Sequence, residues 1–131
     1  SEKSIKFLKL YRLRSTLSTK IFLKTSKNFS VQPEFKYILN QANILAKKNN
    51  SKLHFVYLPH YARYKFDYVD PNYQTVKKII DEMDIPFIDI HKELFEKEKN
   101  PLDLFPFQMY GHYTVEGYKK VSEKIYQAIT K

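Results

Sequence analysis

One histidine, His112, stands in a sequence context that suits acid–base chemistry. It lies in a loop two residues before Thr114, a residue type that caps helices. A histidine held beside the first turn of a helix keeps its ring free to face a cleft, as a general base must. Gly111 allows an unusual backbone turn before it, and Gly117 allows another element to approach the helix closely. The alternative is that His112 caps or packs in a tyrosine-rich loop.

The scarcity of glycine and the absence of cysteine exclude several kinds of site. Gly111 and Gly117 are the only glycines, so the chain has no dinucleotide-binding loop, P-loop or Gly-x-Ser-x-Gly nucleophile elbow. With no cysteine there is neither a thiolate nucleophile nor a cysteine-ligated zinc site. The four histidines never show His-Glu-x-x-His spacing. We therefore predict no metal and no organic cofactor.

Two short apolar runs predict the strands that would position this chemistry. Residues 53–58 are almost continuously apolar and bounded by Lys52 and Pro59, which is typical of a strand buried on both faces. Residues 86–90 form a second run. Between them, Asp70 and Pro71 predict the start of a helix that ends near residue 83. Strand, helix and strand predict parallel pairing, and hence an α/β fold.

The remaining elements are predicted to be mostly helical. Pro33 predicts the start of a helix that ends in the polar residues 47–51, and residues 114–129 carry an apolar face with Thr114 as its cap. We expect a short helix over residues 91–97 and a loop over residues 100–107. Residues 4–24 combine apolar residues at helical spacing with basic ones, which predicts a basic amphipathic helix that packs on its domain or binds a membrane surface.

The stretch from Leu104 to Tyr118 resembles the SGNH (GDSL-like) hydrolase superfamily. In that family a late loop carries the catalytic histidine, and a His-x-x-x-x-Gly-Tyr pattern opens the last helix, as His112, Gly117 and Tyr118 do here. The order of helix, strand, helix, strand and Phe-Pro loop upstream is also similar, over roughly residues 33–130. The resemblance implies a flavodoxin-like three-layer α/β/α fold, incomplete in this chain, and an ester hydrolase or acyltransferase acting on an acyl ester or acylated carbohydrate.

This chain departs from the family pattern in two ways. The family's Gly-Asp-Ser and Gly-x-Asn-Asp blocks are missing, so the chain is either the C-terminal part of a longer protein or a degenerate relative. In the first case the nucleophilic serine is expected on upstream sequence. The aspartate usually found three residues before the histidine is replaced by Met109. Asp103, in the same loop, is our candidate for orienting His112, and Asp89 and Glu116 are further candidates.

His60 and Arg63 are the predicted substrate-binding residues. They follow the first strand at its carboxyl end, where clefts form in α/β folds, and could bind a substrate anion. The alternative is an exposed loop. The tyrosines around them could line a cleft, but filling the core is the favoured role.

Composition and charge bear on domain organisation and partners. The 131 residues suit one α/β domain, or the C-terminal part of a larger one. The net charge is +9, but only Arg12, Arg14 and Arg63 of the 23 basic residues are arginine, which disfavours specific nucleic-acid recognition. The rival hypothesis is a non-catalytic α/β module that binds a partner chain or an anionic surface. Localisation is left open.

Overall fold

The computed structural model describes residues 30–130. The basic helix predicted over residues 4–24 lies outside these residues. Seven helices and strands of the described chain form a mixed α/β structure: α1 Pro33–Lys48, β1 Phe55–Tyr57, α2 Tyr61–Phe66, α3 Tyr73–Glu82, β2 Phe87–Asp89, α4 Ile90–Glu93 and α5 Val115–Ile129.

Strands β1 and β2 pair in parallel, as predicted. Phe55 lies opposite Phe87 and Tyr57 opposite Asp89, so both strands end at the same edge of the sheet. Each strand has three residues, which is shorter than the apolar runs suggested. The prediction that the first strand is buried on both faces is wrong, because every residue of β1 is only half-buried. Among the described residues β1 has a single neighbouring strand, so its other edge pairs with no strand of this part of the chain.

Helices contact both faces of the sheet, because side chains alternate along each strand. On one face, Phe55 meets the Phe35 ring of α1 edge-on at 6.2 Å, and Tyr57 meets the Tyr73 ring of α3 at 4.8 Å. On the other face, Val56 and Ile88 pack against the main core cluster. A hydrogen bond from Asn43 to the Met83 carbonyl and an ion pair between Lys36 and Glu82 join α1 to the end of α3.

The main core is built around two fully buried aromatic rings, Phe95 and Phe105. Their centroids are 5.8 Å apart, and Phe95 stacks on Tyr64 at 4.9 Å. Tyr113 contacts both rings. Aliphatic residues complete the cluster: Ile88, Ile90, Leu94, Leu104 and Val121. Large rings bury much apolar area per residue, which suits a core with only two short strands.

The helix boundaries differ from prediction mainly near prolines. Thr114 caps α5 as predicted, since its Oγ1 accepts a hydrogen bond from the Gly117 N–H at 2.9 Å. Helix α3 begins at Tyr73 rather than at Pro71, because Asp70 accepts from the Asn72 N–H and forms a turn there. The predicted loop over residues 100–107 contains two 3₁₀ turns, Pro101–Leu104 and Pro106–Gln108. The short helix predicted over residues 91–97 is divided into α4 and a 3₁₀ turn, Phe95–Lys97.

We predict that Phe95→Ala destabilises the protein by about 3–5 kcal/mol, because it removes a fully buried ring from the centre of the core. Phe107→Ala is the matched control, since the Phe107 ring is 78% exposed. Its effect should stay within about 0.5 kcal/mol. Urea unfolding of both variants measures the difference, and equal losses would contradict this description of the core.

Candidate active site

The loop that carries His112 is held by a strained turn. Phe107 and Gln108 both have positive φ angles, 54° and 53°, which side-chain-bearing residues adopt only at a cost. Two hydrogen bonds offset that cost: Gln108 Nε2 donates to Asp103 Oδ1 at 2.8 Å, and the Tyr61 hydroxyl donates to the Gln108 carbonyl at 3.0 Å. The backbone is therefore directed toward α2 before it reaches His112.

The residues on either side of His112 fix the loop against the segment that follows β1. The Tyr113 hydroxyl donates to the Pro59 carbonyl at 2.6 Å, and the Tyr110 ring lies 5.1 Å from the His60 ring. The Thr114 N–H donates to the Leu104 carbonyl at 2.8 Å. His112 itself is exposed. The loop thus presents the imidazole to solvent beside the carboxyl end of β1.

The two glycines differ in what they do. A Cβ on Gly117 would lie 2.9 Å from the Leu104 carbonyl oxygen and 3.0 Å from Tyr113 Cβ. Gly117 therefore permits the close approach that its position predicted. Nothing lies within 4 Å of the corresponding point on Gly111, and neither glycine has a positive φ. The prediction of an unusual turn at Gly111 is wrong; the left-handed residues of this loop are Phe107 and Gln108.

The candidate acids for orienting His112 have other partners. Asp103 Oδ1 accepts from Asn100 Nδ2 and from Gln108 Nε2, each at 2.8 Å, so this carboxylate shapes the turn. Buried Asp89 accepts from the Tyr73 hydroxyl and from the His91 N–H, and it caps α4. Glu116 is exposed in the first turn of α5. Within the described chain none of the three carboxylates accepts a hydrogen bond from His112.

His60 lies at the start of α2, on the side of the His112 loop. Its Nδ1 accepts a hydrogen bond from the Ala62 N–H at 3.2 Å, which caps the helix. The ring therefore carries its proton on Nε2 when neutral. Partial burial lowers the pKa of His60, and the charge of Asp70 partly opposes that shift.

Arg63 lies one turn further along α2 and faces a different part of the surface. It lines a pocket of about 380 Å³ together with Tyr64, His91 and the residues around Pro101. Its guanidinium carbon is 5.7 Å from the centroid of the Tyr73 ring. The two predicted substrate-binding residues thus belong to separate surroundings, His60 beside Tyr110 and Arg63 beside His91.

A hydrogen-bonded chain at the end of β2 was missed by the sequence reasoning. His91 Nδ1 is 2.9 Å from the Tyr64 hydroxyl, and His91 Nε2 is 3.0 Å from Glu96 Oε1. Burial is the main cause of a lowered pKa at His91, and the charge of Arg63 adds to the effect. Burial likewise raises the pKa of the Tyr64 hydroxyl. The signal in the sequence was the position of His91, directly after an apolar strand.

Residues 30–130 lack two other kinds of feature. No three histidine, aspartate or glutamate side chains in this range are grouped as metal ligands would be. Within the same range, none of the helices is long and apolar enough to cross a membrane.

Comparisons of the chain with models of protein families, with curated protein sequences and with solved structures find no match. The resemblance to SGNH hydrolases therefore depends on the sequence pattern alone.

We predict that Gly117→Ala destabilises the protein by about 1–3 kcal/mol, because the added methyl group meets a backbone carbonyl that cannot easily move. Gly111→Ala is the matched control and should be close to neutral, because its methyl group has open space. Thermal and urea unfolding of the two variants test this. If Gly117→Ala were as stable as Gly111→Ala, Leu104 would not be held where the structure places it.

We predict that His91 makes the protein less stable as the pH falls. The folded-state pKa of His91 lies below the ordinary value of 6.5. Between those two values the unfolded chain binds a proton that the native chain does not, so the free energy of unfolding decreases with decreasing pH. His60 has the same sign of shift. Urea unfolding across this range should show a smaller pH slope for His91→Gln, and an NMR titration of His91 with a midpoint at or above 6.5 would refute the prediction.

Proposed function

We propose that this chain is the C-terminal part of an SGNH-like ester hydrolase or acyltransferase domain, with His112 as its catalytic base. In this proposal the described residues belong to a flavodoxin-like three-layer α/β/α fold, with α1 and α3 on one face of the sheet and α5 on the other. The substrate is an acyl ester or an acylated carbohydrate. Gly111 and Gly117 are the only glycines, so the family's Gly-Asp-Ser block must be supplied by sequence outside these 131 residues.

One observation supports the proposal above the others: an exposed His112 is fixed at the carboxyl end of a parallel strand. The hydrogen bond from Tyr113 to the Pro59 carbonyl and the contact of Tyr110 with His60 hold its loop there. Ligands of open α/β sheets bind outside this edge, where residues following neighbouring strands converge. A serine at the end of an adjacent strand would come within reach of the imidazole.

The proposed reaction is acyl transfer in two steps. His112 takes the proton from the serine hydroxyl as the serine oxygen attacks the acyl carbonyl, and it then gives that proton to the leaving alkoxide. In the second step His112 takes a proton from water or from an acceptor hydroxyl, which attacks the acyl-serine, and returns it to the serine oxygen. His60, whose ring contacts Tyr110 of the His112 loop, is proposed to contact the substrate.

Asp103 remains our candidate for the acid that orients His112. It lies in the same loop, and it already positions this loop through Gln108. Without a carboxylate beside it, a histidine still acts as a base, but its tautomer and orientation are less well defined.

A non-catalytic interaction module is the second candidate, and helix α1 favours it. No residue of α1 is fully buried, and four large apolar side chains remain exposed on it: Tyr37, Ile38, Ile44 and Leu45. Exposed apolar side chains grouped on one helix are typical of surfaces that contact another chain or segment. The two candidates differ in one observable: only the enzyme requires a serine that reacts with a fluorophosphonate probe once the upstream sequence is present.

We predict that His112→Ala, in the protein that includes the upstream sequence, lowers kcat/KM for a short acyl ester by roughly 10³–10⁶-fold. Stability should change by less than about 0.5 kcal/mol, because His112 is exposed. Hydrolysis of p-nitrophenyl acetate and urea unfolding measure the two effects.

Val115→Ala is the control for this experiment, since Val115 is 89% exposed and lies three residues from His112. It should retain activity. The isolated chain should be inactive. Unchanged hydrolysis by His112→Ala, or loss of folding in that variant, would reject His112 as the base.

A further inference from the structure

The pocket beside Arg63 is separate from the His112 loop. It has a volume of about 380 Å³ and lies between the last turn of α2 and the 3₁₀ turn Pro101–Leu104. This volume falls within the range of small-molecule sites. Polar groups and apolar side chains line it together: Arg63, Tyr64, Asp67, Val69, His91, Asn100, Pro101 and Leu102.

Arg63 brings a positive charge that no carboxylate in residues 30–130 pairs with. The ion pairs of this part of the chain involve other side chains, and the nearby Asp89 carboxylate is used by Tyr73 and the start of α4. The Arg63 side chain is half-buried, and its Nη1 is buried without a hydrogen-bond acceptor among the described residues. A buried guanidinium N–H without an acceptor is costly. The guanidinium also contacts the Tyr57 hydroxyl and the Tyr73 ring, but neither carries a negative charge, so an oxygen-rich anion would be stabilised beside it.

The hydrogen-bonded side chains of Tyr64, His91 and Glu96 determine which groups in the pocket wall donate, accept or carry charge. Ionised Glu96 only accepts, so His91 carries its proton on Nε2 and donates it to the carboxylate. His91 Nδ1 then accepts from the Tyr64 hydroxyl at 2.9 Å. The lowered pKa of His91, caused mainly by burial, favours the neutral form of this ring. The histidine therefore neither competes with Arg63 for an anion nor adds a second charge, and Arg63 is the cation that selects the ligand.

We propose that this pocket binds a small molecule through an oxyanion group, a carboxylate or a phosphate, held by the Arg63 guanidinium. The planar fork of arginine matches two oxygens of either group. Asp67, which also lines the pocket, disfavours a ligand with several negative charges, whereas Val69, Pro101 and Leu102 contact an apolar part of the ligand. Neither His112 nor the serine is needed for this binding, so it is independent of acyl transfer.

The test is an NMR titration of the isotopically labelled chain with sodium acetate and, separately, with inorganic phosphate. Sodium chloride at equal ionic strength is the reference. We expect saturable shifts in the Arg63 side-chain Nε–H and in the backbone of Tyr64, Asp67 and Leu102. Saturation by acetate alone assigns a carboxylate ligand, saturation by phosphate alone assigns a phosphate ligand, and either supports the site.

Arg63→Gln should weaken the apparent affinity at least tenfold. Lys65→Gln is the matched control, because it removes the same charge from an exposed position of the same helix and should leave the affinity unchanged. If Arg63→Gln does not fold, Arg63→Lys takes its place, because it keeps the charge but removes the two-pronged guanidinium. This variant should also weaken binding. The shifts of the wild-type protein locate the site independently of either variant. Shifts spread over surface lysines, an equal loss in Lys65→Gln, or no saturable shift with either anion would overturn the proposal.

Discussion

The contact between Leu104 and Gly117 is the constraint on which the rest of this end of the molecule depends. The Leu104 carbonyl accepts from the Thr114 N–H and lies where a side chain on Gly117 would be. That approach brings the start of α5 against the 3₁₀ turn, with Leu104 and Phe105 buried beneath it. Tyr113 is then directed into the aromatic cluster, and its hydroxyl reaches Pro59. The residues on both sides of His112 are fixed by these contacts, and the His112 side chain between them is exposed to solvent.

Aromatic packing compensates for the small sheet. Two strands of three residues offer few ladder hydrogen bonds and little aliphatic surface. Rings from α2, from the turn after β2 and from the loop before α5 meet instead around Phe95 and Phe105. Tyrosine suits this arrangement because its ring fills space while its hydroxyl pairs with a backbone carbonyl or a histidine, as Tyr61, Tyr113 and Tyr64 do. The same residues therefore build the core and hold the candidate sites.

Sequence reasoning predicted the local patterns well and the longer-range contacts poorly. The parallel pairing of residues near 55 and 87 followed from two apolar runs separated by a helix, and the Thr114 cap followed from its residue type. The left-handed turn at Phe107 and Gln108 could not be predicted, because hydrogen bonds from distant residues stabilise conformations that these residue types disfavour alone. The partners of Asp103 and of His91 are likewise set by how the turns fold. Arg63 and His91 line the same pocket although they are 28 positions apart in the sequence. No local sequence pattern predicts that arrangement.

The shortness of the strands also affects how copies of this chain meet one another at high concentration. An open edge of a sheet is a template for pairing with another molecule, and the strength of such pairing grows with the number of backbone groups that it offers. Here β1 spans only Phe55–Tyr57, with exposed Lys52 shortly before it and buried Pro59 shortly after it. A second molecule would gain few hydrogen bonds there and would meet a charge at one end and a residue without an N–H at the other. The feature that makes the sheet a weak core thus also makes it a poor nucleus for aggregation.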